Sequence, residues 1–410
     1  MLRLLHTADV HLDSPLKSLA LRDPELAERA DIATRAAFSR IIDTAITENV
    51  AALLIAGDLF DGRQRSARTG AFLISEFDRL RAHGIRVFYV KGNHDAENPV
   101  SGAIDLPDNV HVFGGRAEKV QLAENVWIHG ISYAHRHAPE SLLPKFHPPV
   151  PGAINIGMLH TSLTGAPGHD VYAPCTVAEL AAHGFDYWAL GHVHKRQVHH
   201  ESPLIVMPGT PQGRDIGETG PKSATLITIT EGISIRQVPT SILEFATIDL
   251  MAAEAESNEA LRTMLRQKVQ EMANSLHGDF GAVRVRLTVD PARYWRLLRD
   301  RDVWNETVRD ILRETGRLWL EKLVIERFET KKSAGHGAID ELGQLMNDVL
   351  QEKAFRRKLH GRVEEFLSEL PPELRAEMAG DETGLAKLAD DLAHAGRERV
   401  LAHMRGGEDR

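Results

Sequence analysis

Val87-Phe88-Tyr89-Val90-Lys91-Gly92-Asn93-His94-Asp95 decides how the chain is read, because an apolar run stops there at four polar residues suited to a site. The run has the length and boundary of a buried strand. Gly92 is expected to turn the chain sharply, since glycine tolerates positive φ at little cost. Asn93 offers a neutral oxygen, His94 an imidazole, and Asp95 a carboxylate able to hold that imidazole by its other nitrogen. Taken alone, such a tetrapeptide is as readily a polar turn as a site. Four similar strand ends elsewhere change that reading.

Leu2 to Leu5 is an apolar run that leads to Asp9 and His11, with Asp13 just beyond. Residues 24–49 carry apolar positions at helical spacing, and the buried run from Val50 to Ala56 ends in Gly57-Asp58-Leu59-Phe60-Asp61. A second helix over about 67–82 precedes the opening strand. Strand, helix, strand, helix, strand is the pattern of a parallel α/β sheet. Past Asn98-Pro99 the texture changes to short strands at 110–113, 119–122 and 126–132, followed by a Pro- and His-rich loop over 134–151. A strand over 153–159 ends at His160, and a helix at 177–183 leads into Tyr187 to Leu190, which closes on Gly191-His192-Val193-His194. Further β runs at 204–207, 224–229 and 233–238 complete a first domain, 1–240, read as a pair of sheets with helices outside.

Residues 241–330 read as a small α+β capping domain, and 331–410 as a helical tail behind a polar, Gly-containing linker at 331–337. The tail carries two apolar stripes: Ile339, Leu342, Met346, Val349 and Leu350, then Leu359, Val363, Phe366, Leu367 and Leu370. A length of 410 residues agrees with two or three domains. The formal charge of -9 excludes a protein that coats nucleic acid by bulk electrostatics, so any polyanion contact must come from a local basic patch. Cys175 is the only cysteine, which rules out an intramolecular disulfide and points to a reducing compartment. With no export signal and no apolar stretch of membrane-spanning length visible, a soluble cytoplasmic protein with no membrane partner is expected.

The polar residues at strand ends are Asp9 and His11, Asp58, Asn93 and His94, His160, and His192 and His194. In open α/β sheets ligands gather at the carboxyl ends of strands, so residues far apart in sequence meet at one edge. Imidazole, carboxylate and amide oxygen together suit borderline divalent ions such as Mn, Fe or Zn, and the thiolates of a structural zinc site are missing. Asp9, His11, Asp58, Asn93, His160, His192 and His194 over-supply one ion, whereas two ions bridged by Asp58 use all seven. Such a pair activates water near neutral pH and polarises a phosphoryl oxygen. That leaves His94 to stabilise the transferring group or protonate the leaving oxygen, with Asp95 setting its tautomer. A lone strand-end Asp or His is more often a cap than a ligand, and the chain has 21 His, yet the paired spacings Asp9-x-His11 and His192-x-His194 are hard to assemble by chance.

These five ordered motifs resemble those of the calcineurin-like metallophosphoesterases. Gly57-Asp58-Leu59-Phe60-Asp61 and the small second domain resemble the SbcD-type DNA repair exonucleases, and Pro208-Gly209-Thr210-Pro211-Gln212-Gly213-Arg214 through Glu218-Thr219-Gly220 is most similar to their YhaO branch. The resemblance implies an α/β/β/α metallophosphoesterase sandwich. It assigns one ion to Asp9, His11, Asp58 and His194, the other to Asp58, Asn93, His160 and His192, and the catalytic role to His94. It further implies two divalent ions, manganese as the working metal, and nuclease activity on DNA ends. An SMC-like coiled-coil ATPase that docks on the C-terminal helices is implied as partner, and family analogy suggests a homodimer.

Arg63, Arg65 and Arg68 lie past Asp58, Lys195 and Arg196 past His194, and Arg214 in the Gln-Gly-Arg loop; as a rim they would bind substrate phosphates. A phosphodiesterase for a small cyclic or diester substrate is the rival expectation. It is disfavoured by the second domain and long tail. A non-catalytic scaffold for DNA or an ATPase is a third, against which the intact ligand set counts.

Overall fold

The computed structural model describes residues 1–18, 23–62, 66–98, 104–136, 138–163, 172–252, 255–328 and 338–405. Arg63, Arg65 and the 331–337 linker lie outside the described residues. In chain order come β1 (Leu2–Thr7), α1 (Pro24–Asp31), α2 (Ala33–Thr47), β2 (Ala52–Ala56), α3 (Ala67–Ala82), β3 (Arg86–Val90) and α4 (Asn93–Glu97). They are followed by β4 (Val110–Val112), β5 (Glu118–Ala123), β6 (Val126–Gly130), β7 (Ile154–His160), α5 (Val177–Ala182), β8 (Tyr187–Gly191), β9 (Gln197–Glu201), β10 (Leu204–Met207), β11 (Ser223–Ile229) and β12 (Ile233–Pro239). The stretch read as one helix over 24–49 is two, α1 and α2, separated at exposed Ile32, whose φ is -104° and ψ 0°.

Two six-stranded sheets form among the described residues, in the orders β12-β11-β1-β2-β3-β4 and β5-β6-β7-β8-β10-β9. In the first, β1 to β4 run parallel, β11 pairs antiparallel with β1, and β12 pairs antiparallel with β11. In the second, β6, β7, β8 and β10 are parallel, with β5 and β9 antiparallel at the edges. All five residues of β2 are buried, as a central parallel strand covered on both faces must be. Alternation sorts them. Leu53 and Ile55 join Phe38, Ile41, Leu73 and Phe77 of α2 and α3 in the outer core, whereas Leu54 and Ala56 join Phe88, Ile156, Met158 and Tyr187 between the sheets. A third core, around Leu159, Leu180, Trp188 and Leu190, covers the outside of the second sheet. The layers are therefore α/β/β/α.

The remaining elements are β13 (Leu243–Met251), α6 (Asn258–Ser275), β14 (Phe280–Val289), α7 (Pro291–Arg299), α8 (Arg301–Arg313), β15 (Leu318–Arg327), α9 (Ala338–Gln351), α10 (Lys353–Ser368), α11 (Pro372–Ala379) and α12 (Glu382–Arg405). β13, β14 and β15 pair in that order. The chain separates into two compact units: Met1–Thr247 with Gln270–Arg284 and Thr315–Lys322, and Ile248–Val269 with Val285–Glu314 and Leu323–Arg410. Within the second unit, Trp295 of α7 packs with Leu401 and Ala402 of α12 and with Ile339, Leu342 and Met346 of α9. Val363, Leu367 and Ala389 centre a second cluster, so most members of both apolar stripes of the tail are buried or half-buried within their own unit. No helix among the described residues is long and apolar enough to cross a membrane.

Candidate metal centre

The carboxyl ends of β1, β2, β3, β7 and β8 deliver the strand-end motifs. Ladder hydrogen bonding continues past β1 and β2: Asp9 N–H donates to Gly57 O, His11 N–H to Asp58 O and Leu12 N–H to Leu59 O, each at 3.0 Å. Asp9 (φ 52°), His11 (φ 44°), Asp58 (φ 51°) and His192 (φ 111°) nevertheless have positive φ. Asp and His tolerate this region better than most residues, yet each instance costs on the order of 1–3 kcal/mol and persists only where the surroundings enforce it. Here the ladder bonds and the amide of His192, which donates to both carboxylate oxygens of Asp9 at 3.0 Å, do so.

Side-chain atoms then converge. His160 Nδ1–H donates to Ala56 O at 3.0 Å, so in the neutral ring Nε2 carries the lone pair. That lone pair lies 3.1 Å from Asn93 Oδ1 and 3.4 Å from Asp58 Oδ2. His194 Nδ1–H donates to Glu218 Oε1 at 2.6 Å, which leaves Nε2 as an acceptor 3.2 Å from His11 Nε2. Asp9, His11 and His194 form one group of mutually close ligand atoms, and Asp9, Asp58 and His160 another. Acceptors that face acceptors in a buried site repel one another until a cation lies between them, so these residues fit a divalent-metal centre. A proton competes for the same place. Burial opposes a charge on His160, yet the Asp58 carboxylate outweighs it and raises the imidazole to about 9, so Nε2 gives its lone pair to an ion only by releasing that proton. Burial likewise opposes ionisation of Asp58, while His160 and then His11 hold it well below the usual carboxylate range.

Gly92 does not act as expected. Its φ is -89°, an ordinary value, and what it supplies is space: a Cβ there would lie 2.3 Å from Asp58 Oδ1. Gly57 and Gly191 serve the same end, with added Cβ atoms 2.2 Å from His160 Nδ1 and 2.0 Å from Ala56 O. The pairing of Asp95 with His94 also needs correction. Asp95 is the third residue of the short helix α4, and its carboxylate accepts from the amides of Gly92 and Phe60 at 2.9 Å each. Buried and next to Asp58, it is pushed up to about 6. His94 Nδ1 instead accepts from the Gly62 amide at 3.1 Å, which puts the proton on Nε2, and Asp61 Oδ1 lies 3.7 Å from Nδ1.

A cleft of about 490 Å³ lies over these atoms, with Asp58, His94, His194, Lys195, Glu218 and Lys222 in its wall. Of the basic residues expected at the rim, Lys195 lines it, whereas Arg68 is exposed and does not. Arg196 turns its guanidinium to Thr225 Oγ1, away from the cleft, and Arg214 lies against Glu218 and His194. Asp13 is taken by a bidentate ion pair with Arg35, at 2.6 and 2.7 Å. Sequence reasoning gave no role to Asp61, Glu218 or Lys222, whose carboxylates and ammonium lie at the centre's margin. Asp61 and Glu218 stand inside stretches singled out for resemblance, but nothing in one-dimensional spacing says which histidine each meets.

Residues 2–196 match the family described as calcineurin-like phosphoesterase, and residues 245–327 match the middle domain of metallophosphoesterase YhaO. An uncharacterized metallophosphoesterase, YhaO of Bacillus subtilis, is 36% identical over 297 residues, which span 70% of this chain and 71% of that protein. The DNA double-strand break repair protein Mre11 of Methanopyrus kandleri is 25% identical over 52% of this chain and 49% of its own length. The Mre11 protein of Sulfolobus acidocaldarius is 26% identical over 66% of this chain and 72% of its own length. An identity of 36% sustained over most of a metallophosphoesterase, on a sandwich whose strand ends bring metal-ligand residues together, makes this chain a member of the calcineurin-like metallophosphoesterase family and a phosphoester hydrolase.

Proposed function

We propose that the chain is a dinuclear-metal phosphodiesterase that works as a DNA exonuclease in end processing or repair, alongside an SMC-like coiled-coil ATPase. The observation that carries the hydrolytic part is the facing of His11 Nε2 and His194 Nε2 on one side of Asp58, and of His160 Nε2 and Asn93 Oδ1 on the other. One ion would be held by Asp9, His11, Asp58 and His194, the other by Asp58, Asn93, His160 and His192. When bound, the pair supplies Lewis-acid activation of water and of the phosphoryl oxygen. The chain's own residues do the rest. His94 presents Nε2–H at the cleft wall, fixed in that tautomer by the Gly62 amide, where it stabilises the transferring phosphoryl group or protonates the leaving oxygen. Asp95 braces both ligand loops through the Gly92 and Phe60 amides.

DNA as substrate is supported by the Mre11 relatives and by Lys195 and Lys222 on the cleft wall. A small diester is the second reading, favoured by a cleft volume within the range of small-ligand sites. End-labelled linear DNA and a small chromogenic diester, each offered with manganese, magnesium or zinc, separate the two. Manganese-loaded protein is expected to shorten the DNA progressively from its ends. His94→Ala is expected to lower kcat on either substrate by about 100-fold or more with metal content unchanged. Full activity in that variant refutes the role given to His94.

A further inference from the structure

We infer that Glu218 is a positioning residue for the metal centre, one that fixes the tautomer and aim of His194. The inference rests on the reading of His194 as a metal ligand. His194 lies on the loop after β8 and has two ring nitrogens to place. Glu218 Oε1 takes the Nδ1 proton at 2.6 Å, and so Nε2 faces His11 Nε2, 3.2 Å away.

Glu218 is itself held at both oxygens. Oε2 accepts from the Arg214 backbone amide at 2.8 Å, and the Arg214 guanidinium lies 3.4 Å from Oε1 and 2.9 Å from His194 Nδ1. Because the guanidinium can only donate, it competes with the Nδ1 proton for that place, a competition that the shorter 2.6 Å carboxylate contact decides for Nδ1–H. Its own amide donates to Asp215 O at 3.0 Å, and the close approach of Gly213, whose added Cβ would lie 2.9 Å from Glu218 O, packs the turn shut. Both oxygens are thus engaged, and the carboxylate is placed before an ion arrives. A carboxylate behind a ligating imidazole orients the ring and raises its basicity, and losing such a partner typically weakens metal binding about 10–100-fold.

A glutamine at this position cannot reproduce the arrangement. With its oxygen toward His194 its NH2 meets the Arg214 amide, donor against donor. Flipped, it presents NH2 to His194 Nδ1 and drives the ring proton onto Nε2, the atom the ion needs.

The test is manganese titration calorimetry on the full-length protein together with 15N NMR of the histidine ring nitrogens. Wild type is expected to bind two equivalents and, without metal, to show His194 protonated on Nδ1. Glu218→Gln is expected to weaken one equivalent about 10–100-fold, leave the other unchanged, and lose the single Nδ1–H tautomer. Asp215→Ala, which removes the Gly217 contact in the same turn, is expected to lower Tm without moving either metal affinity. Unchanged affinity at both equivalents in Glu218→Gln overturns the inference while the dinuclear reading stands. Wild type that binds no manganese overturns both. A metal-free wild type with the His194 proton on Nε2 overturns the positioning role alone, with no variant needed.

Discussion

At the scale of single residues, the candidate ligands are legible because their chemistry is carried by identity and strand-end spacing. What each ligand leans on was not. Asp95 stands next to His94 in sequence, but as the third residue of α4 it points back to the amide of Gly92 and across to Phe60. An acidic residue three positions after a helix start is a capping signal, and it was available in Gly92-Asn93-His94-Asp95. The bridging role given to Asp58 has a sharp consequence. Its Oδ2 lies 3.4 Å from His160 Nε2 and 3.9 Å from His11 Nε2, so in the proposed centre one carboxylate would serve both halves. Asp58→Asn should cut metal content from two equivalents to below one, as read by elemental mass spectrometry of desalted protein. Retention of one tight equivalent would show that Asp58 serves a single ion.

At the scale of elements, the parallel strands were legible from their apolar runs, and the polar edge strand β9, Gln197-Val198-His199-His200-Glu201, was not, having no alternation and Val198 as its one apolar residue. β13 was missed too. The two sheets are also joined by a buried polar contact that no periodicity announces. His6 of β1 accepts from the Tyr187 hydroxyl at 3.0 Å and donates to Leu190 O at 3.1 Å. Burial lowers this imidazole from 6.5 to about 3, so it is neutral in the folded protein. The unfolded chain takes up the proton first as pH falls, and the stability His6 contributes is therefore present above pH 6.5 and lost progressively from there toward pH 3. By pH 5 the loss should be about 2 kcal/mol, since each pH unit in that window is worth about 1.4 kcal/mol. Urea unfolding of wild type and His6→Gln at pH 7.5 and pH 5 checks this. The variant should be less stable at pH 7.5 but lose less on acidification, and parallel pH profiles would refute the assignment.

At the scale of the whole molecule, nothing in composition or length signals that the compact units are built from non-consecutive segments. The tail illustrates why. Its apolar stripes were equally compatible with a partner and with self-packing, because a helical pattern states that a face is buried and not against what. Most of those residues pack around Trp295, Val363 and Leu367, whereas Phe366 at 55% and, beside the first stripe, Leu345 at 62% are the most exposed large apolar side chains of the tail among the described residues. If the tail docks a coiled-coil ATPase, these two are the first apolar contacts to test. Leu345→Glu should then abolish co-purification with the ATPase while Tm and hydrolysis of a small diester stay at wild-type values. Undiminished co-purification places the docking surface elsewhere.

Gly57, Gly92 and Gly191 carry one further consequence. Each lies where a single added carbon would collide with a ligand or with the backbone that holds one, as close as 2.0 Å. The centre is thus dimensioned partly by atoms that are not there. In a saturation library these three positions should be as unforgiving as the ligands themselves, although none contributes a donor atom. Any route by which such a protein came to favour an ion of another radius would have to run through changes of ligand, because its walls have no smaller residue left to adopt.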